Sequence, residues 1–307
     1  MVSETCPKSM TCPRKLPKSA RGNELKPRRD PLVSDEEKCA GLRLICLLQI
    51  LGGYAKWRHP DLSVNCLPGK IMGDYTNMSV YYDLIMRSGY YDYDKIVDNL
   101  VQHLPFSQVL EIGCGTGLIL ETLAKRQPSL ALTGVDLTQA MLSIAQQRLQ
   151  NFPQVTLQHQ NVTELHLKQT YDLAFSYGGV WYFVIDGDTE PFLVSHIAQE
   201  EPNRQGLSKV GQHVKAGGQL LLGVQGPHHD YSTPISNGML YSQKIEPADH
   251  GFIKHYYLAD GDTTLMAQTI HYRTYPFAEA LELLQGFGFT YQPYPGDKPQ
   301  FLKFKKT

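Results

Sequence analysis

The stretch QVLEIGCGTGLILETL, residues Gln108–Leu123, decides the fold. It opens on a short apolar run that carries one acid, Val109-Leu110-Glu111-Ile112. Three glycines follow in the spacing G-x-G-x-G (Gly113, Gly115, Gly117), and then apolar residues recur at helical spacing (Leu118, Leu120, Leu123, Ala124). Strand, glycine turn and helix in that order open a nucleotide-binding βαβ unit, in which the glycines let the backbone approach a ligand closely. Three glycines alone are a weak signal. The reading depends on what lies at the distances such a unit requires.

Downstream, LALTGV (Leu130–Val135) reads as a second buried strand and ends at Asp136. That acid falls 25 residues after Glu111, near the interval of about 20 at which a second-strand carboxylate meets ribose hydroxyls. A carboxylate suits a vicinal diol because it accepts two hydrogen bonds at once. Asp136 could instead cap the next helix, but Thr138 is the better cap, so the ribose role is preferred. A helix over Gln139–Leu149 follows, then strands at Gln154–His159 and Tyr171–Ser176, a partly helical stretch over Phe192–Val214, and a fifth strand at Gln219–Val224. A helix from Tyr93 to Leu104 precedes the first strand. Strands alternating with helices predict a parallel, doubly wound α/β sheet with its ligand groups at the carboxyl ends of the strands. The unusual residues fall at those ends.

VLEIGCGTG, GVDLTQAML, YDLAFSYGGVWYF and VKAGGQLLL, in that order and spacing, resemble the class I S-adenosylmethionine-dependent methyltransferase family over about residues 72–307. The resemblance implies a Rossmann-like sheet with a final antiparallel hairpin (Phe287–Tyr291 with Phe301–Phe304), and S-adenosyl-L-methionine as cofactor. It implies that Gly113, Gly115 and Gly117, with Glu111 beneath them, hold the methionine part, that Asp136 takes the ribose, and that Leu137 and Met141 flank the adenine. The family commonly has an aspartate near position 161. Here Asn161 would accept from the adenine amino group without charge. Ser176 and Tyr177 end the fourth strand, where the family approaches cofactor and acceptor. An NAD-binding dehydrogenase would more usually show G-x-G-x-x-G, with the third glycine one residue later.

Residues 226–276 break the alternation with three period-2 runs, Met239–Ile245, Phe252–Leu258 and Thr264–Tyr275, which predict an antiparallel strand insert. Such an insert resembles the acceptor lid of small-molecule methyltransferases, the amino-sugar N-methyltransferases among them. The segment YYDLIMRSGYYDYD resembles their amino-terminal lid, in which a tyrosine reaches the cofactor carboxylate; Tyr82 is the candidate. His228 and His229 follow the fifth strand and could take a proton from an acceptor. They and Asp230 are not read as a metal site, because adjacent residues rarely share one face. With Tyr177, these histidines are the catalytic candidates.

Residues 1–30 carry eight basic side chains against three acidic ones and almost no large apolar residues, which predicts a largely disordered leader. An organelle-targeting presequence and a plain unstructured extension both fit it, the second better. The apolar run Leu42–Leu51 is too short and polar to span a membrane and reads as a short amphipathic helix within a leader of residues 1–71. A formal net charge of −1 gives no global attraction to nucleic acid or to an anionic membrane. Six cysteines with no C-x-x-C pair suggest free thiols in a reducing, cytoplasmic setting. The expected protein is a methyltransferase of a small molecule, an amine by preference, with oxygen or carbon acceptors open. A nucleotide-dependent oxidoreductase and a non-catalytic cofactor-binding module are the rivals. Sequence alone says nothing of oligomeric state.

Overall fold

The computed structural model describes residues 73–294 and 299–307. The expectations for the leader, its basic segment and its apolar helix lie outside the described residues. No helix among the described residues is long and apolar enough to cross a membrane.

Five parallel strands form the frame: β1 (Gln108–Ile112), β2 (Ala131–Asp136), β3 (Val155–His159), β4 (Tyr171–Ser176) and β7 (Val214–Gln225), side by side in the order β3-β2-β1-β4-β7. Their apolar runs are nearly continuous because both faces are covered. On one face lie α2 (Tyr93–Val101), α3 (Leu118–Arg126) and α4 (Gln139–Leu149), which bury Ile96, Leu120, Leu123, Leu142 and Leu149. On the other lie α5 (Glu200–His213) and α6 (Phe277–Gln285), with Leu207, Val210, Leu283 and Leu284. The hairpin of β12 (Phe289–Gln292) and β13 (Phe301–Lys306) completes this part, β13 running antiparallel to β7. A Rossmann-like doubly wound sheet with a final antiparallel hairpin is therefore what the chain forms.

The insert is larger than the three predicted runs. Strands β8 (Tyr231–Pro234), β9 (Leu240–Ala248), β10 (Gly251–Asp260) and β11 (Thr263–Pro276) form an antiparallel series. Two short strands tie it to the frame. β5 (Trp181–Val184) runs parallel to the end of β7, and β6 (Phe192–Ser195) pairs with β5 on one side and β11 on the other. The expected partly helical stretch over 192–214 holds its helix at Glu200–His213, and its first residues add a strand. Phe192–Ser195 is strand because its partner, Arg273–Pro276, lies some 80 residues away and leaves no local periodicity to read.

Between frame and insert, α1 (Ser79–Ile85) and a π-helical turn (Met86–Tyr90) bury Met78, Ile85 and Met86 in the third apolar cluster, with Tyr241, Tyr256 and Tyr272 of the insert.

Candidate functional site

The glycine turn is assembled backbone against backbone. Gly113 and Cys114 both donate their N–H to the carbonyl of Val135, at 2.8 and 3.0 Å, which locks the turn to the end of β2. Gly113 sits at φ +75°, and a Cβ there would lie 2.9 Å from the Cα of Gly179. A Cβ on Gly179 would in turn lie 2.6 Å from the carbonyl oxygen of Ile112. Two glycine turns, after β1 and after β4, therefore close on each other with no room for a side chain.

Asp136 ends β2 and joins this turn. Its Oδ2 accepts the N–H of Gly115 at 2.8 Å and its Oδ1 the N–H of Thr138 at 2.8 Å. Each oxygen keeps a further lone pair. Burial raises its carboxyl, and the two backbone donors pull it back down. Thr138, expected as the helix cap, makes no side-chain cap; its Oγ1 accepts the N–H of Tyr75 at 3.3 Å and so ties the amino-terminal segment to this corner. Beneath the turn, Glu111 is 3% exposed and its Oε2 has no hydrogen-bond partner. Burial, and then the charge of Asp136, pushes its carboxyl well above the usual carboxylate range.

A cavity holding about 910 Å³ of empty space, its open mouth included, runs from this turn to the insert. Gly113, Gly115, Asp136, Leu137 and Met141 line one part, with Gln160 and Val162. The amino-terminal segment contributes Tyr75, Tyr82, Tyr90 and Tyr91, and the strands contribute Tyr182, His196, His228, Lys254, Tyr256 and Tyr272. The Tyr272 hydroxyl lies 3.1 Å from that of Tyr75 and 2.6 Å from that of Tyr256. His228 bridges two elements: its Nε2 is 2.9 Å from the Tyr182 hydroxyl and its Nδ1 is 3.1 Å from Lys254 Nζ. An ammonium has only protons to give, so Nδ1 accepts and the ring proton sits on Nε2, facing Tyr182. Burial, reinforced by the charge of Lys254, pulls the imidazoles of both His196 and His228 down to about 3, which keeps them neutral.

The structure brings Tyr82, Gly113, Gly115, Asp136, Leu137, Met141 and His228 to one cavity. The other candidates do not line it, each for a local reason. Glu111 is buried within β1, just before the turn. Gly117, at φ +78°, starts α3 against Leu149 and Ala145, a packing position. The side chain of Asn161 accepts the N–H of Thr163 at 3.0 Å and caps a short 3-10 turn, leaving the cavity to its neighbours. Ser176 is fully buried, its Oγ within 2.9 Å of where a Cβ on Gly179 would stand. Tyr177 turns away from the cavity, packs on Tyr91 and Phe301, and accepts a hydrogen bond from Gln300. His229 packs at a tilt against Tyr231 while its carbonyl accepts from Gln243 at 2.8 Å. No group of three metal-ligating side chains occurs among the described residues.

Sequence reasoning passed over Lys254, Tyr256, Tyr272 and His196. For Lys254 a signal existed: the alternation on β10 puts Lys254 in phase with Tyr256 and Leu258 on the buried face, and a lysine in phase with core residues is an oddity. His196 follows β6, a strand that the local sequence does not announce.

Comparison with known proteins agrees with this geometry. Residues 109–218 match the model of a methyltransferase domain family. A malonyl-[acyl-carrier protein] O-methyltransferase of Bacillus cereus is 41% identical over 69 residues, 22% of this chain and 25% of that protein. A trans-aconitate 2-methyltransferase of Yersinia pseudotuberculosis is 30% identical over 103 residues, 33% of this chain and 39% of that protein. The chain thus spans less than two thirds of the length of these curated relatives. Among solved structures, a sugar N-methyltransferase from Streptoalloteichus superposes with a TM-score of 0.55 at 16% identity, over 81% of this chain and 99% of that one. An S-adenosylmethionine-dependent methyltransferase from Clostridium acetobutylicum gives a TM-score of 0.55 at 18% identity, over 76% and 98%. At such identities the likeness is one of fold. Residues 109–218 thus carry a methyltransferase domain, set in a sheet whose fold is that of the S-adenosylmethionine-dependent methyltransferases it superposes on.

Proposed function

We propose that the chain transfers the methyl group of S-adenosylmethionine to a small molecule held between the glycine turn and the tyrosine wall. The residues present fit the family's cofactor. The unpartnered Oε2 of Glu111 lies beneath the turn, and a Cβ on Gly115 would meet only Tyr82, at 3.9 Å, so the backbone there stands open. In this reading Asp136 holds the ribose hydroxyls, Leu137, Met141 and Val162 the adenine, and Gly113, Gly115 and Glu111 the methionine portion, with Tyr82 at its carboxylate. The side chain of Asn161 is already engaged, so contact with the adenine edge passes to its neighbours.

When bound, the cofactor supplies an electrophilic methyl on a sulfonium whose leaving group is a neutral thioether. With so good a leaving group, the chain's work is orientation and exclusion of water, worth several kcal/mol. The buried tyrosines do this work: their rings wall the cavity, and burial keeps their phenols protonated. The observation that best supports the reading is that one cavity joins the glycine turn and Asp136 to the polar cluster of the insert.

The acceptor has two readings. An amine is supported by the aromatic wall of tyrosines that lines the cavity. An anionic oxygen is supported by the cation that lines the cavity, Lys254. The insert 226–276 is the acceptor side in both, since β10 and β11 bring Lys254, Tyr256 and Tyr272. Titration calorimetry with S-adenosylhomocysteine and with NAD tests the assignment. The expected result is binding of the first alone; tight NAD binding with no response to S-adenosylhomocysteine would overturn it in favour of an oxidoreductase.

A further inference from the structure

Lys254 is 1% exposed, in the class of side chain that is almost never fully buried without an opposite charge. Among the described residues it has none. Its neighbours are His228 Nδ1 at 3.1 Å and the rings of Tyr256 and Tyr272, whose centroids lie 5.4 and 5.9 Å from Nζ. Tyr182 faces it through His228, and His196 lies close enough to feel its charge. All of these groups are neutral. Asp136, the carboxylate of the cavity wall, is engaged with Gly115 and Thr138 and does not pair with Lys254. An ammonium has three protons to donate, and one of them is used here. A charge left this way in a low-dielectric wall costs several kcal/mol, which evolution tolerates where a ligand completes the pair.

We propose that Lys254, held in place by His228, binds the carboxylate of an anionic small-molecule acceptor, and that an oxygen of this carboxylate receives the methyl. The proposal rests on the methyltransferase reading and names its substrate class. Two balances support it. The methyl donor is a cation, so with Lys254 the closed cavity carries excess positive charge, which a carboxylate neutralises and a protonated amine would increase. A carboxylate also needs no base: the oxygen's own lone pair forms the C–O bond as the methyl–sulfur bond breaks, the pair of that bond stays on sulfur, and no proton moves. The product is a neutral ester and a neutral thioether. The ester has lost the charge that Lys254 holds, so the group that recognises the acceptor no longer holds the product. The depressed lysine is consistent with this: burial alone pulls it down to about 7, where a neighbouring anion would restore the charge.

The test uses the full chain with 15N-labelled lysine, saturated with S-adenosylhomocysteine, and follows the Lys254 nitrogen against pH in the presence of acetate or of methylammonium. Lys254→Met identifies the resonance and must retain S-adenosylhomocysteine binding. Acetate is expected to raise the titration midpoint of Lys254 by roughly 1 to 3 pH units, as an opposite charge at contact does, and methylammonium is not. Calorimetry should show acetate binding weakened roughly 10- to 100-fold in Lys254→Met, the worth of a charge-assisted hydrogen bond, with recovery in Lys254→Arg. A Lys254 midpoint indifferent to acetate, or acetate binding unchanged in Lys254→Met, overturns the proposal while S-adenosylhomocysteine still binds. Loss of S-adenosylhomocysteine binding by the wild-type protein is a different failure and removes the methyltransferase reading with it.

Discussion

The Oδ2 of Asp136 accepts the backbone N–H of Gly115 at 2.8 Å, so the carboxylate that closes β2 also sets the shape of the turn after β1. In the proposed reading, ribose recognition and turn geometry share one side chain. Replacing Asp136 with Ala is expected to weaken S-adenosylhomocysteine binding by about 1–3 kcal/mol, the range for hydrogen bonds to a charged group. Titration calorimetry measures it; an unchanged affinity would remove Asp136 from the site.

Gly113 and Gly115 both lie at positive φ, +75° and +53°, but their surroundings differ. Each alanine variant meets the left-handed backbone penalty of about 1–2 kcal/mol. Only at Gly113 does the new Cβ also press on backbone, 2.9 Å from Gly179 Cα and 3.1 Å from Val180 N. Gly113→Ala should therefore be less stable in urea than Gly115→Ala by a further 1–3 kcal/mol, roughly the cost of overpacking. Equal denaturation midpoints would show that the two glycine turns are free to separate.

Arg148 joins α1 to the glycine turn. Its Nε donates to the Thr116 carbonyl at 2.8 Å, Nη1 to Glu121 at 3.1 Å, and Nη2 to Asp83 of α1, whose other oxygen accepts from the Thr116 hydroxyl at 2.6 Å. Asp83→Asn removes the charge and keeps the shape. Stopped-flow displacement should then show S-adenosylhomocysteine leaving faster, by roughly tenfold for a loss of about 1.4 kcal/mol. A wild-type dissociation rate would mean that the ion pair does not hold α1 over the site.

Lys254 also has a signature in stability. A lysine held at about 7 in the fold and at 10.5 when unfolded binds fewer protons in the native state between those values. Stability from this group therefore rises with pH across that window, and the penalty is complete below it. Lys254→Met should be more stable than wild type at pH 7 by about 1–4 kcal/mol, as for other buried charges replaced by apolar groups. The gap should narrow by pH 9, below the range where the tyrosines of the unfolded chain ionise. Parallel urea curves at both pH values check this, and a gap independent of pH would show Lys254 to be uncharged or paired.

The frame of this protein was legible because its signals are local. A glycine turn, an acid at the end of a strand and an apolar alternation each occupy a few consecutive residues, and all three survive in the structure. The acceptor side was less legible because its contacts are long-range. His196 reaches the cavity through β6, whose existence depends on pairing with β11. Asn161 illustrates a competition that residue type alone does not resolve, since the oxygen suited to an adenine is equally suited to the nearby N–H of Thr163. Tyr177 stays off the cavity wall for a geometric reason: the turn at Gly178-Gly179 brings Val180 to the cavity and leaves the tyrosine ring on Phe301. Lys254 was readable from the alternation of β10, but only as an oddity without a partner.

Strand β7 runs unbroken from Leu220 and Leu222, paired with β4, to Val224 and Gln225, paired with β5. The parallel frame and the strands that lead into the insert therefore hang on one backbone, a few steps of about 3.3 Å apart. Such a strand is a ruler with no joint. In the proposed reading, the separation between methyl donor and acceptor is set when the chain folds. Tyr75, Tyr82, Tyr90 and Tyr91, ahead of the first strand, line the cavity beside it without belonging to any strand.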